Sequence, residues 1–213
     1  MTLSVSAWLW PVLFYLVGSI PAGYLMGRVC GIDIRQHGSG NIGATNVWRV
    51  LGPKWGLPAF AFDFLKGFLP LYLVRIFAFP EPESWTVSLI LVLGGLAAII
   101  GHNFTPWLGF KGGKGIATSA GVLGALVPWV LAVALLLWII GLLVTRTVSI
   151  ASLMASVSLP LSTAWFYPEQ WAYFGFAALA GALATWRHRS NIQRLLAGTE
   201  SRVNFSSKKK STA

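Results

Sequence analysis

From residue 3 to residue 25 the chain carries no charged side chain, and apolar runs of similar kind recur to residue 186. A helix needs about 20 apolar residues to cross a hydrocarbon core ~30 Å thick. Within that core every backbone N–H and C=O must find an internal partner, so only helices and closed barrels cross it. A barrel strand alternates apolar and polar residues over ~10 positions, and these runs do not. Composition agrees: 55% of residues are hydrophobic and 10% charged, with a mean hydropathy of +0.68. A soluble domain carries about 25% charged residues. The expectation is an all-α integral membrane protein. No lysine or arginine precedes the first run, whose first following base is Arg28, so it lacks the positive segment of a signal peptide and reads as a retained span.

Seven spans are predicted, at about 4–25, 56–77, 85–104, 116–128, 129–145, 148–166 and 171–186. The fourth is short against the core, with Pro128 kinking or ending it, and Pro160 is expected to break the sixth. With seven crossings, Arg28, Arg35, Arg49, Lys54, Lys111, Lys114, Arg146, Arg187, Arg189, Arg194 and Arg202 fall on one side. Glu81, Glu83 and Glu169 fall on the other, with Arg75 near them. By the positive-inside rule the N-terminus is then outside and the C-terminus cytoplasmic. A count of six or eight breaks that segregation. Residues 1–202 read as one membrane catalytic domain. Residues 203–213, with Lys208, Lys209 and Lys210, read as a basic disordered tail.

The formal net charge of +10 would suggest nucleic acid in a soluble protein. Here the bases lie beside spans, where topology and anionic lipid explain them, so no nucleic-acid partner is expected. The single cysteine, Cys30, permits no internal disulfide and no cysteine metal cluster.

Three polar segments reach the basic side. The first, residues 38–49, holds Gly38, Ser39, Gly40, Asn41, Gly43, Thr45, Asn46 and Arg49. Glycines allow sharp turns, and successive exposed amides in such turns make anion-binding concavities. A helix over about 44–51, stopped by Gly52 and Pro53, would put Thr45 and Arg49 on one face. Arg49 offers a planar guanidinium suited to phosphate. The alternative is a glycine-rich connector. The second segment, residues 101–115, holds His102, Lys111, Gly112, Gly113, Lys114 and Gly115. It is no Walker loop: Leu108 stands where a glycine is needed, and Gly115 where a magnesium-binding Ser or Thr is needed. It reads either as a phosphate cradle at a helix N-terminus or as two topological lysines. The third, residues 186–200, sets His188 and Asn191 three apart on one helix face, unless it is simply a basic amphipathic tail. Three donor clusters at one membrane surface suit a ligand with a phosphate and a hydrophobic tail. An organic-anion transporter is the alternative class, since short, proline-interrupted spans are a transporter feature. A lipid-binding scaffold would explain the bases but not three spaced glycine motifs.

In order and spacing, segments 38–49, 101–118 and 188–200 resemble the three motifs of PlsY-type bacterial acyl-phosphate:glycerol-3-phosphate acyltransferases. The resemblance covers about residues 8–202, and Asp63 to Gly67 resembles that family's Asp-x-x-Lys-Gly. It implies a seven-span bacterial inner-membrane enzyme with a cytoplasmic active site. Its reaction would move a fatty acyl group from acyl phosphate to the 1-hydroxyl of glycerol 3-phosphate, giving lysophosphatidic acid for phospholipid synthesis. The acyl-phosphate-producing enzyme becomes a candidate partner, and no cofactor is implied. By the same resemblance, Ser39, Arg49, Lys114 and Asn191 would hold substrate oxygens. His188 would orient the glycerol hydroxyl or act as base. Asn41, Thr45, Asn46, Gly112 and Gly113 would line the phosphate sites, with Gly40, Gly43 and Lys111 beside them. The residues fit such chemistry. No His-x4-Asp dyad follows His37, His102 or His188, and no serine or cysteine sits in a nucleophile elbow. An acyl phosphate is already activated, so positioning and charge stabilisation can carry the reaction. Asp63 and Lys66 are expected to form a structural brace, Glu200 to pair with a nearby arginine, and His102 to be a structural hydrogen-bonder.

Overall fold

The structure is a computed structural model that describes residues 5–79 and 84–203. Among these residues all regular structure is helical. A 3₁₀ turn, Val5–Leu9, leads into α1 (Trp10–Gly18). Then come α2 (Ala22–Val29), α3 (Ala44–Leu51), α4 (Pro53–Ala78) and α5 (Trp85–Asn103). The chain continues through α6 (Ile116–Leu126), α7 (Pro128–Thr145), α8 (Val148–Phe166), α9 (Trp171–Arg187) and α10 (Arg189–Leu196).

Among the described residues, five stretches are long and apolar enough to cross a membrane: Ala7–Val29, Pro53–Ala78, Trp85–Leu108, Pro128–Thr145 and Val148–Phe166. The helices at the predicted fourth and seventh spans are shorter, 11 residues for α6 and 17 for α9. The expected acidic turn at 80–83 and the tail from residue 204 lie outside the described residues.

The helices meet through small residues, the usual device where lipid is as apolar as the packing partner. A Cβ on Gly18 would stand 2.2 Å from the Ala98 carbonyl oxygen, and one on Gly101 would stand 2.3 Å from that of Tyr15, so α1 and α5 touch backbone to backbone. Gly121 of α6 meets the Phe64 carbonyl of α4 in the same way. The core between them is apolar, with Phe14, Leu71, Leu91, Ile99, Val122, Leu126 and Phe176 fully buried. Outward faces carry Leu13, Phe62, Leu69, Leu136, Val157 and Leu161 exposed, as a lipid-facing surface requires. A smaller core of Ile34, Ile42, Val47 and Ala59 seats segment 38–49 on α4.

Prolines gave two outcomes that differ from expectation. The first span is interrupted between Gly18 and Ala22, because Pro21 lacks an N–H and disfavours helix at the residue before it. The carbonyls exposed there are taken up by side chains: Thr105 Oγ1 donates to Ser19 O at 2.7 Å and Lys66 Nζ to Ile20 O at 2.8 Å. Pro160, expected to break α8, lies inside a continuous helix. It cannot bond the Ser156 carbonyl, and Gly181 of α9 packs so near that oxygen that a Cβ would approach to 2.6 Å. The neighbouring helix accommodates the defect. Pro128 starts α7 at its first turn, where a missing N–H costs nothing.

Candidate active site

Segment 38–49 is a loop ending in α3, whose observed limits coincide with those expected. Gly52, at φ +81°, closes the helix. The loop is fastened by its asparagines. Asn46 is buried. Its Oδ1 accepts from Ser39 N at 2.8 Å, and its Nδ2 donates to His37 O at 3.0 Å and Ile34 O at 3.3 Å. Asn41 Oδ1 accepts from Gly43 N at 2.8 Å, and Gly40 N donates to His37 O at 3.0 Å. Gly38 turns at φ +60°, where a Cβ would collide with the Asn46 amide. The amides of Ser39, Gly40 and Gly43 are therefore spent inside the loop and do not form the expected open concavity. Asn46 braces the loop from beneath. Thr45 and Arg49 share the exposed face of α3, as their spacing predicts.

The second segment is fastened by backbone. Gly112 N donates to Asn103 O and Gly113 N to His102 O, each at 3.1 Å. The loop thus caps the carbonyl end of α5. A Cβ at Gly113 would stand 2.1 Å from His102 Nε2, so glycine is needed there for close approach. The His102 ring is buried beside the expected brace. Lys66 Nζ lies 2.7 Å from Asp63 Oδ1 and 3.0 Å from His102 Nδ1. From the opposite side Arg187 Nε donates to Gly113 O at 3.0 Å. Its Nη2 donates to Gly112 O at 2.9 Å and Gly113 O at 2.6 Å. These glycine amides are also spent, so the loop's side-chain donors are its lysines, with Lys114 just before α6. Lys111 is exposed.

Lys114 meets the third segment. Its Nζ donates to Asn191 Oδ1. Asn191 Nδ2 donates to Glu200 Oε1 at 2.5 Å. That carboxylate also receives Ser149 Oγ at 2.9 Å and Arg194 Nε at 2.7 Å, so Glu200 has the arginine partner expected of it. Burial holds the Lys114 ammonium down to about 8, opposed by the Glu200 charge and reinforced by Arg194, Arg49 and Arg187. The Arg49 charge thus reaches Lys114, which links the first segment electrostatically to the second. Burial raises the Glu200 carboxyl, and the donors from Asn191, Arg194 and Ser149 outweigh it, leaving its pKa below the ordinary value.

His188 lies buried at the joint of α9 and α10, on the same side as Asn191. Its Nδ1 is 2.8 Å from Ala184 O. A carbonyl can only accept, so Nδ1 carries the hydrogen and Nε2 keeps its lone pair. Burial pushes the imidazole down to about 4, with the nearby ammonium of Lys114 adding to it, so the ring is neutral at pH 7. The structure brings Lys114 and Asn191 into contact, with His188 one turn before Asn191, while Arg49 and Ser39 make no hydrogen bond with them. Sequence reasoning missed Arg187 as the anchor of the glycine loop. The only signal was its place one residue before His188. An apolar cleft of about 280 Å³, lined by Ile20, Pro21, Tyr24, Leu25, Trp107 and Leu108, contains none of the predicted site residues.

Comparison with known proteins meets this geometry. The sequence model of the family described as glycerol-3-phosphate acyltransferase matches residues 8–198. A glycerol-3-phosphate acyltransferase of Desulforudis audaxviator is 49% identical over 194 residues, covering 91% of this chain and 93% of its own. One from Thermosynechococcus vestitus is 43% identical over 212 residues, covering 97% and 99%. Among solved structures, PlsY (YgiH), an integral membrane glycerol 3-phosphate acyltransferase in its glycerol 3-phosphate form, superposes with a TM-score of 0.84 at 42% identity. It covers 93% of this chain and 96% of its own. Its lysophosphatidic acid form gives a TM-score of 0.82 at 41% identity. With Lys114 of the second segment bonded to Asn191 of the third, and matches over nine-tenths of its length, the chain belongs to the glycerol-3-phosphate acyltransferase family.

Proposed function

We propose that the chain transfers a fatty acyl group from acyl phosphate to the 1-hydroxyl of glycerol 3-phosphate, releasing phosphate and lysophosphatidic acid for phospholipid synthesis. The observation that carries this reading is the hydrogen bond from Lys114 to Asn191, with the charge of Arg49 close by. It ties the cation of the second segment to the amide of the third, and two phosphate-bearing substrates need such donors. The transporter reading is set aside, because the relatives are acyltransferases.

In this mechanism Arg49, Lys114, Asn191 and Ser39 hold phosphate oxygens. Thr45, Asn41, Gly40, Gly43, Gly112, Gly113 and Lys111 line the approach, and Asn46 sets the loop. The 1-hydroxyl oxygen attacks the acyl carbonyl carbon, and the bond from that carbon to the phosphate oxygen breaks. The hydroxyl proton passes to phosphate. His188 Nε2 accepts the hydrogen bond that aims the hydroxyl. An imidazole held near 4 is a weak base, so aiming outweighs proton abstraction. Most of the acceleration then comes from positioned cations around charge that shifts during transfer.

The proposal extends to topology: seven crossings in the bacterial inner membrane, N-terminus outside, C-terminus and site cytoplasmic. Residues 1–202 form the catalytic unit and 203–213 a basic tail. The segregation of bases from acids supports it. The short α6 crosses with help from the polar segment that precedes it. An acyl-phosphate-producing enzyme is the upstream partner this chemistry calls for.

The test is purified protein in detergent with palmitoyl phosphate and glycerol 3-phosphate. Equal amounts of lysophosphatidic acid and phosphate are expected. Phosphate release without acylated glycerol, or no product at all, overturns the reading.

A further inference from the structure

The glycine loop that carries Lys114 is held from two sides by unlike means. On the α5 side its amides bond the His102 and Asn103 carbonyls at 3.1 Å. The His102 ring fills the space beside Gly113, and that ring is in turn backed by Lys66 and Asp63. On the α9 side three hydrogen bonds from one guanidinium, at 2.6–3.0 Å, take the Gly112 and Gly113 carbonyls. Arg187 spans both carbonyls with its planar fork and lies against the Phe104 ring, 5.2 Å from its centroid. The next residue is His188, and Asn191 follows one turn later. A single helix joint thus carries two proposed substrate contacts together with the clamp on the strand leading to Lys114.

We propose that Arg187 is a positioning residue for acyl transfer: its two-pronged grip on Gly112 and Gly113 fixes the Lys114 ammonium relative to His188 and Asn191. The grip needs the fork. A lysine at 187 keeps the charge but offers one compact ammonium in place of two coplanar donors. If Arg187 contributed only positive charge to an anion site, lysine would serve. If it only stabilised the fold, a substitution would lower the folded fraction and leave turnover per folded molecule unchanged. Positioning predicts a third pattern, in which folded protein turns over poorly and the loss is repaired by a small guanidinium. The inference rests on the acyltransferase reading above.

The experiment compares wild-type protein with Arg187→Lys and Arg187→Ala, each purified in detergent. The readouts are kcat/KM for glycerol 3-phosphate per folded molecule, thermal unfolding, and activity with millimolar methylguanidine. The expected result is a loss of about 10- to 100-fold in both variants, with monodisperse, folded protein. Methylguanidine should restore part of the Arg187→Ala activity and leave Arg187→Lys unchanged. Wild-type kcat/KM in Arg187→Lys overturns the proposal, as does failure of both variants to fold, which would assign Arg187 to folding. Should Arg187→Ala alone fail to fold, Arg187→Lys decides. An inactive wild-type protein in the same assay fails the acyltransferase reading instead.

Discussion

Segments 38–49 and 112–115 are both rich in glycine, and they are built by opposite means. In the first, buried side chains hold backbone: the Asn46 amide alone joins Ser39, His37 and Ile34. In the second, backbone and one distant arginine hold backbone, through the carbonyls of His102 and Asn103 on one side and Arg187 on the other. The outcome is the same. Most of the amides that glycines expose are already bonded, and each loop delivers a single long cation, Arg49 or Lys114. A glycine motif here marks close approach and sharp turning more than a ring of free N–H groups. The two cations differ in setting. Lys114 is shielded and hydrogen-bonded to Asn191, while Arg49 is exposed.

Removing either cation should give the largest effect. Arg49→Ala and Lys114→Ala are each expected to cost at least ~100-fold in acyl transfer, the scale of a lost charge stabiliser. Steady-state kinetics on folded protein checks it, and a near-normal rate in either variant removes that residue from the site. A loss confined to Lys114→Ala would make the second segment catalytic and the first a scaffold.

Next comes the brace. Asn46→Ala would strip the Ser39 N–H of its acceptor and take one of two donors each from the His37 and Ile34 carbonyls, three hydrogen bonds at about 1 kcal/mol apiece. Thermal or denaturant unfolding in detergent should show a clear drop. Asn41→Ala removes one partly buried bond at 2.8 Å and should cost about 1 kcal/mol or less. Equal effects from the two would mean that Asn46 does not carry the loop.

Such bracing explains what the sequence made legible. The limits of α3 were readable because local chemistry decides them: Gly43 opens the helix and Gly52 with Pro53 closes it. Lipid-facing helices were readable from apolar length. The span count put Lys114 and the third segment on one side and the family resemblance gave Lys114 and Asn191 a shared role, but their direct bond was not legible, since nothing local links residues 114 and 191. The behaviour of Pro160 was misread because Gly181, on another helix, decides it. The break at residues 19–21 was missed because partners 46 and 86 residues away satisfy the freed carbonyls. Arg187 escaped notice because its partners lie 74 and 75 residues off.

The shielding of Lys114 gives a pH signature. Its ammonium is held down to about 8 by burial, against Glu200 and with Arg194, Arg49 and Arg187. The charged form is therefore present below pH 8 and lost above it. In the free enzyme kcat/KM should fall about tenfold per unit above pH 8. A bound phosphate favours the ammonium, so the limb in kcat should lie higher. His188, held near 4, should add no inflection close to 6.5. Glu200→Gln removes the one neighbouring charge that raises Lys114, and should move the kcat/KM limb to lower pH. A limb that stays fixed in that variant would assign the titration to another group.

The smallest effect sharpens the comparison most. Arg49 is exposed and makes no hydrogen bond or ion pair with the described residues, while its charge opposes that of Lys114. Arg49→Ala should therefore leave unfolding stability within about 0.5 kcal/mol of wild type, the range of surface substitutions without a structural partner. The same substitution is expected to abolish most turnover. Such a pairing, full loss of rate at no cost in stability, is what a group held free for a ligand should give. Buried Asn46 should show the reverse order, losing stability first and rate as a consequence. If Arg49→Ala instead lowers the unfolding temperature as much as Asn46→Ala does, Arg49 is part of the brace, and the cation that segment 38–49 offers to substrate must be sought elsewhere.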